Sequence, residues 1–105
     1  MDKLKIKVPR KKIADFCQRW KVVEFSLFGS ALREDFNPDS DIDVLVTFAP
    51  NAHVSLFDLV TMEDELKNMF GHEVDLVEKE AIVKSENYIR RKSILENTRT
   101  MYAAR

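Results

Sequence analysis

Apolar positions along the chain switch between two periods, and the switches mark out its elements. Ile13, Phe16, Cys17 and Trp20 recur at helical spacing between Arg10, Lys11, Lys12, Asp15 and Arg19. With Pro9 standing where its fixed φ suits a helix start, this predicts an amphipathic helix over 9–20. From Val22 the period drops to two. Val23, Phe25 and Leu27 share one face while Glu24 and Ser26 alternate to the other, which predicts a strand over 22–28 ending at Gly29. Ser30 to Arg33 read as a short helical turn, and Asn37-Pro38-Asp39-Ser40 as a tight reversal. A second strand, Asp41 to Phe48, turns Ile42, Val44, Val46 and Phe48 one way and Asp41, Asp43, Leu45 and Thr47 the other.

The helical period returns after residue 54. Ser55 is placed as an N-cap with Asp58 three residues on, and Leu56, Leu59, Val60, Glu63, Leu66, Met69 and Phe70 mark a mainly apolar stripe that Gly71 can end. Phe16, Trp20 and the Met62 to Phe70 stripe are expected to supply core. A third strand runs from His72 to Val77, with Val74 and Leu76 on one face and Glu73, Asp75 and Val77 on the other. Ser85 to Leu95 reads as helical through Tyr88, Ile89, Ile94 and Leu95; Thr98 to Tyr102 either extends it or forms a last short strand. The alternation of helices and short strands predicts an α/β (α+β) fold, a small sheet with helices on one side.

Length narrows this to a single domain: 105 residues support one core of two packed layers. With 17 basic and 18 acidic residues the formal net charge is -1, so nothing global draws the protein to nucleic acid or membrane, and an anionic ligand has to be caught locally. The basic run Arg90, Arg91 and Lys92 reads as a solvated helix face. A lone cysteine, Cys17, excludes an internal disulfide and suits a reducing compartment. The N-terminus MDKLKIKVPRKK lacks the apolar core of a signal peptide, and no apolar run approaches a membrane span, so a cytoplasmic protein is expected.

Candidate chemistry concentrates between Phe25 and Phe48. Period-two geometry puts Asp41 and Asp43 on the same strand face, where two carboxylates can converge on one hard cation. Asp75 becomes a third oxygen donor if its strand pairs beside the second, and three carboxylates can hold two divalent ions roughly 3.5–4 Å apart. Gly29 and Ser30, ending one strand and opening a turn, allow backbone N–H groups and a hydroxyl to approach a phosphate, and Arg33 adds a cation. Each piece alone is commonplace: a solvated acidic pair, an ordinary turn, a surface arginine. Their order is specific. His53 and His72 read as loop and strand-start residues without a catalytic role.

That order, Gly-Ser, ten residues, Asp-x-Asp, resembles the nucleotidyltransferase superfamily typified by DNA polymerase β, and within it the minimal nucleotidyltransferase (MNT) domain antitoxins. Gly29-Ser30 and Asp41-Ile42-Asp43 carry the resemblance, and Val74-Asp75-Leu76-Val77 matches the later strand with its aspartate. The resemblance implies a mixed sheet flanked by helices, a nucleoside triphosphate (most often ATP) bound with Mg2+, and transfer of a nucleotidyl group to a hydroxyl. Gly29, Ser30 and Arg33 would hold the triphosphate, Asp41 and Asp43 the metals, and Asp75 would be the third carboxylate, helping to activate the acceptor. The chain departs from the pattern at Glu34, where many relatives have glycine, which would set a negative charge near the phosphates. The resemblance also implies a partner, a HEPN-domain ribonuclease toxin modified on a tyrosine. A chain of this length is expected to have its acceptor presented from outside. A binding-only antitoxin, or an aminoglycoside-type enzyme completing its pocket by dimerisation, are the other readings.

Overall fold

Helix α1 (Arg10–Trp20) opens the structure, a computed structural model that describes residues 9–32, 36, 37 and 39–104. Its apolar stripe is the predicted one: Ile13, Phe16 and Cys17 have no solvent exposure. Burial pushes the Cys17 thiol up to about 12, because the thiolate would be stranded away from water. Lys21 ends the helix in the left-handed region, φ 58°, with its N–H returned to the Cys17 carbonyl. Strand β1 (Val22–Phe28) follows at once.

One face of β1 differs from simple alternation. Its register against β2 (Ile42–Phe48) slips between Val22 and Glu24, so Val22 rather than Val23 enters the core beside Phe25 and Leu27. An extra residue in one strand of an antiparallel pair turns its neighbours over, which a period-two reading of sequence cannot register.

Helix α2 (Leu56–Phe70) starts with the predicted capping box: the Asp58 N–H donates to Ser55 Oγ at 3.1 Å, and the Ser55 N–H to Asp58 Oδ2 at 3.0 Å. Gly71, φ 73°, ends it. The buried stripe is rotated from the expected one. Met62 and Leu66 are fully buried with Leu59, Met69 and Phe70 packed alongside, whereas Leu56, Phe57 and Val60 are 80%, 86% and 58% exposed. Three large apolar side chains in the first five residues of α2 therefore face outward, and a helical period alone does not show which of its apolar residues the core will take. Glu63, an odd member of an apolar stripe, accepts a hydrogen bond at 3.1 Å from the Leu76 N–H of strand β3 (Val74–Glu78). It occupies a backbone donor on an edge strand that would otherwise invite foreign pairing.

Four strands form a mixed sheet in the order β3-β2-β1-β4, with β2 and β3 parallel and the other pairs antiparallel. The ambiguous C-terminal segment is β4 (Thr98–Ala103), paired with β1, because the hydrogen-bonding edge of β1 offers it more than another helical turn would. Helices α1 and α2 cover one face through Phe16, Phe25, Leu27, Val44, Met62 and Leu66; Phe16 meets Phe25 edge-on at 6.0 Å. The expectation of helices on one side needs correcting. Helix α3 (Lys79–Val83), which the apolar pattern missed, and α4 (Tyr88–Glu96) bring Ile82 and Ile94 onto Phe28 and Leu45 of the opposite face. Five residues are too few to show a helical period, so α3 was not legible. Among the described residues no helix is long and apolar enough to cross a membrane.

Candidate active site

The register of three neighbouring strands assembles the site. Phe28, the last residue of β1, lies opposite Asp43 of β2, and Asp43 lies opposite Asp75 of β3. Side chains at paired positions share a face, so both carboxylates rise from the side of the sheet that carries α3 and α4. Asp43 is half-buried and Asp75 exposed. Asp41 comes one residue before β2 and is exposed.

Gly29 turns the chain away from Phe28 with φ 66° into a single 3-10 turn, Gly29–Leu32. A Cβ on Gly29 would overlap Asp43 Oδ2 and come within 3.2 Å of its Cγ. Glycine is therefore required twice, by a backbone angle that L side chains rarely adopt and by the carboxylate lying against it. Residues fourteen positions apart in sequence meet here, the turn expected to hold phosphate and the strand expected to hold metal. The side chain of Ser30, together with Arg33 and Glu34, lies outside the described residues.

The loop entering Asp41 is anchored from both ends. Asn37 and Ser40 close it on each other, the Ser40 N–H donating to the Asn37 carbonyl at 2.9 Å and the Asn37 N–H to Ser40 Oγ at 3.1 Å. His72 Nδ1 lies 3.0 Å from the Ser40 carbonyl oxygen, and its ring packs on buried Phe36 with centroids 5.0 Å apart. The next bond along is Ile42 N–H to the Glu73 carbonyl at 2.8 Å. A cleft of about 350 Å3 flanks this loop, lined by Asp39, Ser40, Lys67, Gly71, His72 and Glu73, and none of the three aspartates reaches it.

The family model for the nucleotidyltransferase domain matches residues 9–100. The chain belongs to the nucleotidyltransferase domain family. Among its relatives is the protein adenylyltransferase MntA of Thermococcus cleftensis, 37% identical over 65 residues. That alignment spans 62% of this chain and 64% of the relative, so just under two thirds of MntA is represented. Two solved structures share the fold. One is a toxin-antitoxin crystal structure with AMP-PNP, with TM-score 0.69 and 18% identity over 93% of this chain and 76% of that one. The other is a tri-AMPylated Shewanella oneidensis HEPN toxin in complex with an MNT antitoxin, with TM-score 0.60 and 18% identity over 90% of this chain and 70% of that one.

In this nucleotidyltransferase domain the residues present suit a divalent cation in two respects. The donors are carboxylate oxygens, the ligands hard cations prefer, and the missing Cβ of Gly29 lets the Asp43 carboxylate lie directly against the turn. The side chains are not already drawn into a cage: among the described residues no group of three or more His, Cys, Asp or Glu is close enough to hold a metal ion. What the backbone supplies is a shared face and a register. His72 is the residue whose part in the site the sequence did not show; its only signal was its place three residues before Asp75, two before the strand that pairs with β2.

Proposed function

We propose that this domain is a magnesium-dependent nucleotidyltransferase that moves AMP from ATP to a hydroxyl, a tyrosine of a HEPN-type toxin protein, and so acts as that toxin's antitoxin. The apposition of Gly29 and Asp43 carries the reading, since it ties the phosphate turn to the acidic strand. Membership of the family and the names of the relative and the two solved complexes support it.

In this reading the backbone at Gly29 and Ser30 receives the triphosphate, with the Ser30 hydroxyl and Arg33 as further partners. Asp41, Asp43 and Asp75 would hold two Mg2+ ions, which when bound polarise the phosphoryl oxygens and neutralise the leaving group. The acceptor oxygen attacks the α-phosphorus, the bond to the bridging oxygen breaks, and pyrophosphate leaves. Asp75 takes the acceptor proton. Its exposed place on an edge strand makes it reachable by a hydroxyl that another protein presents.

The test is incubation of the protein with labelled nucleoside triphosphates and Mg2+ in extract of the source cell, followed by identification of the labelled polypeptide. A HEPN-type protein labelled from ATP is expected. Asp43→Asn should abolish labelling, and Asp75→Asn should slow single-turnover transfer roughly a hundred- to ten-thousandfold, the usual worth of general-base help. Undiminished transfer by folded Asp43→Asn would refute the assignment; toxin inhibition that survives its loss of transfer would point to an antitoxin that only binds.

A further inference from the structure

We infer that His72 is a positioning residue for the acidic site, its Nδ1–H fixing the Ser40–Asp41 peptide and through it the direction of the Asp41 carboxylate. The inference rests on the proposed function for its consequence and on geometry for its content. The Ser40 carbonyl belongs to the same planar peptide as the Asp41 nitrogen, so a donor that fixes that oxygen fixes the plane from which Asp41 departs. Carbonyl oxygen only accepts, so the ring nitrogen 3.0 Å away is the protonated one.

Asp41 has need of this. It precedes the β2 ladder, whose regular register with β3 begins at Ile42 opposite Val74. Two bonds bracket it, His72 to the Ser40 carbonyl on one side and the Ile42 N–H to the Glu73 carbonyl on the other, and they come from consecutive residues. The segment 72–75 therefore fixes the backbone at all three aspartates: at Asp41 through those bonds, at Asp43 by pairing, and at Asp75 by carrying it. Phe36, 7% exposed, holds the imidazole by ring contact at an interplanar angle of 40°. The ring is thus packed as well as bonded, which is how an outer residue orients a ligand rather than trailing from it.

Packing and hydrogen bonding can be separated by substitution. His72→Phe keeps a ring against Phe36 and removes the donor. His72→Asn loses the ring but can present an amide N–H the same number of bonds from Cα as Nδ1. Calorimetry with Mg2+ and ATP, alongside thermal melts, is expected to show His72→Phe folded but weakened roughly 10- to 100-fold in binding, the range for lost outer-shell partners. His72→Asn should recover to within about threefold of the parent, well short of that range, despite the poorer packing. Equal binding by His72→Phe and the parent overturns the inference, as does a His72→Asn variant as weak as His72→Phe. A parent that binds no nucleotide overturns the proposed function itself and this role with it. NMR of the ring nitrogens in the unsubstituted protein decides the matter independently of any variant's folding: protonated Nδ1 is required, and a neutral ring protonated only at Nε2 refutes it.

Discussion

Replacing Gly29 with alanine isolates what the site requires of that position, because the second glycine provides a matched control. Gly29 and Gly71 have nearly equal backbone angles, φ 66° and φ 73°. Their surroundings differ: a Cβ on Gly71 meets nothing within 4 Å, whereas one on Gly29 overlaps the Asp43 carboxylate. Holding an alanine in the left-handed region costs about 1–2 kcal/mol at either position. For a domain of this size that lowers the melting temperature by about 4–8 °C per kcal/mol. Only Gly29→Ala adds the collision. Clearing Asp43 Oδ2 to van der Waals contact requires a shift on the order of 1 Å, and a misplacement of that size at a reacting centre can lower rate by about 100-fold. Melting curves for both variants, with nucleotide binding and single-turnover transfer in the presence of Mg2+, should show similar destabilisation but loss of function in Gly29→Ala alone. Full activity in a folded Gly29→Ala variant, or equal losses in both, would show that contact between the turn and Asp43 is not part of the site.

Ser55→Ala should destabilise the protein by about 1 kcal/mol in urea denaturation and Ser55→Gly by only a few tenths, since glycine keeps the extended N-cap conformation without the hydroxyl; equal effects would mean that the capping box contributes nothing. Cys17 should resist alkylation at pH 9 in the native protein and react once the chain is unfolded, because its thiol is buried and raised to about 12. The sign follows from linkage: the folded state keeps the thiol proton longer than the unfolded one, so this contribution is intact below the ordinary value of 9.0 and is lost as pH rises toward about 12. The stability of the parent should therefore fall more steeply over that interval than that of Cys17→Ala, and parallel curves would contradict the burial.

The sequence alone determined the parts of this protein whose physics is local. The helical stripe of α1, the Ser55–Asp58 box and Gly71 around α2, and the alternation of β2 each depend on residues a few positions apart, and the structure places them where the pattern says. Spacing also predicted Asp41 and Asp43 on one strand face, but β2 begins at Ile42, so Asp43 lies in the ladder and Asp41 in the loop that enters it. Tertiary structure decided what depends on neighbours distant in sequence. Which side of α2 is buried, Met62 rather than Leu56 and Val60, follows from how the helix packs against the core formed by the sheet and α1. That Thr98–Ala103 is a strand follows from the open edge of β1, and that Val22 faces inward follows from a bulge. The second helical layer depends on α3, too short to show a period, and on an apolar strip at Phe28 and Leu45 that only the folded sheet brings together. At the site, motif spacing named Gly29 and the aspartates, but contact between Gly29 and Asp43 needed the pairing of β1 with β2, and that of His72 with Ser40 needed β3 beside β2. Hydrogen bonds to a carbonyl carry no sequence signature, since every residue has one, so a residue that acts through such a bond is seen only once the chain has folded.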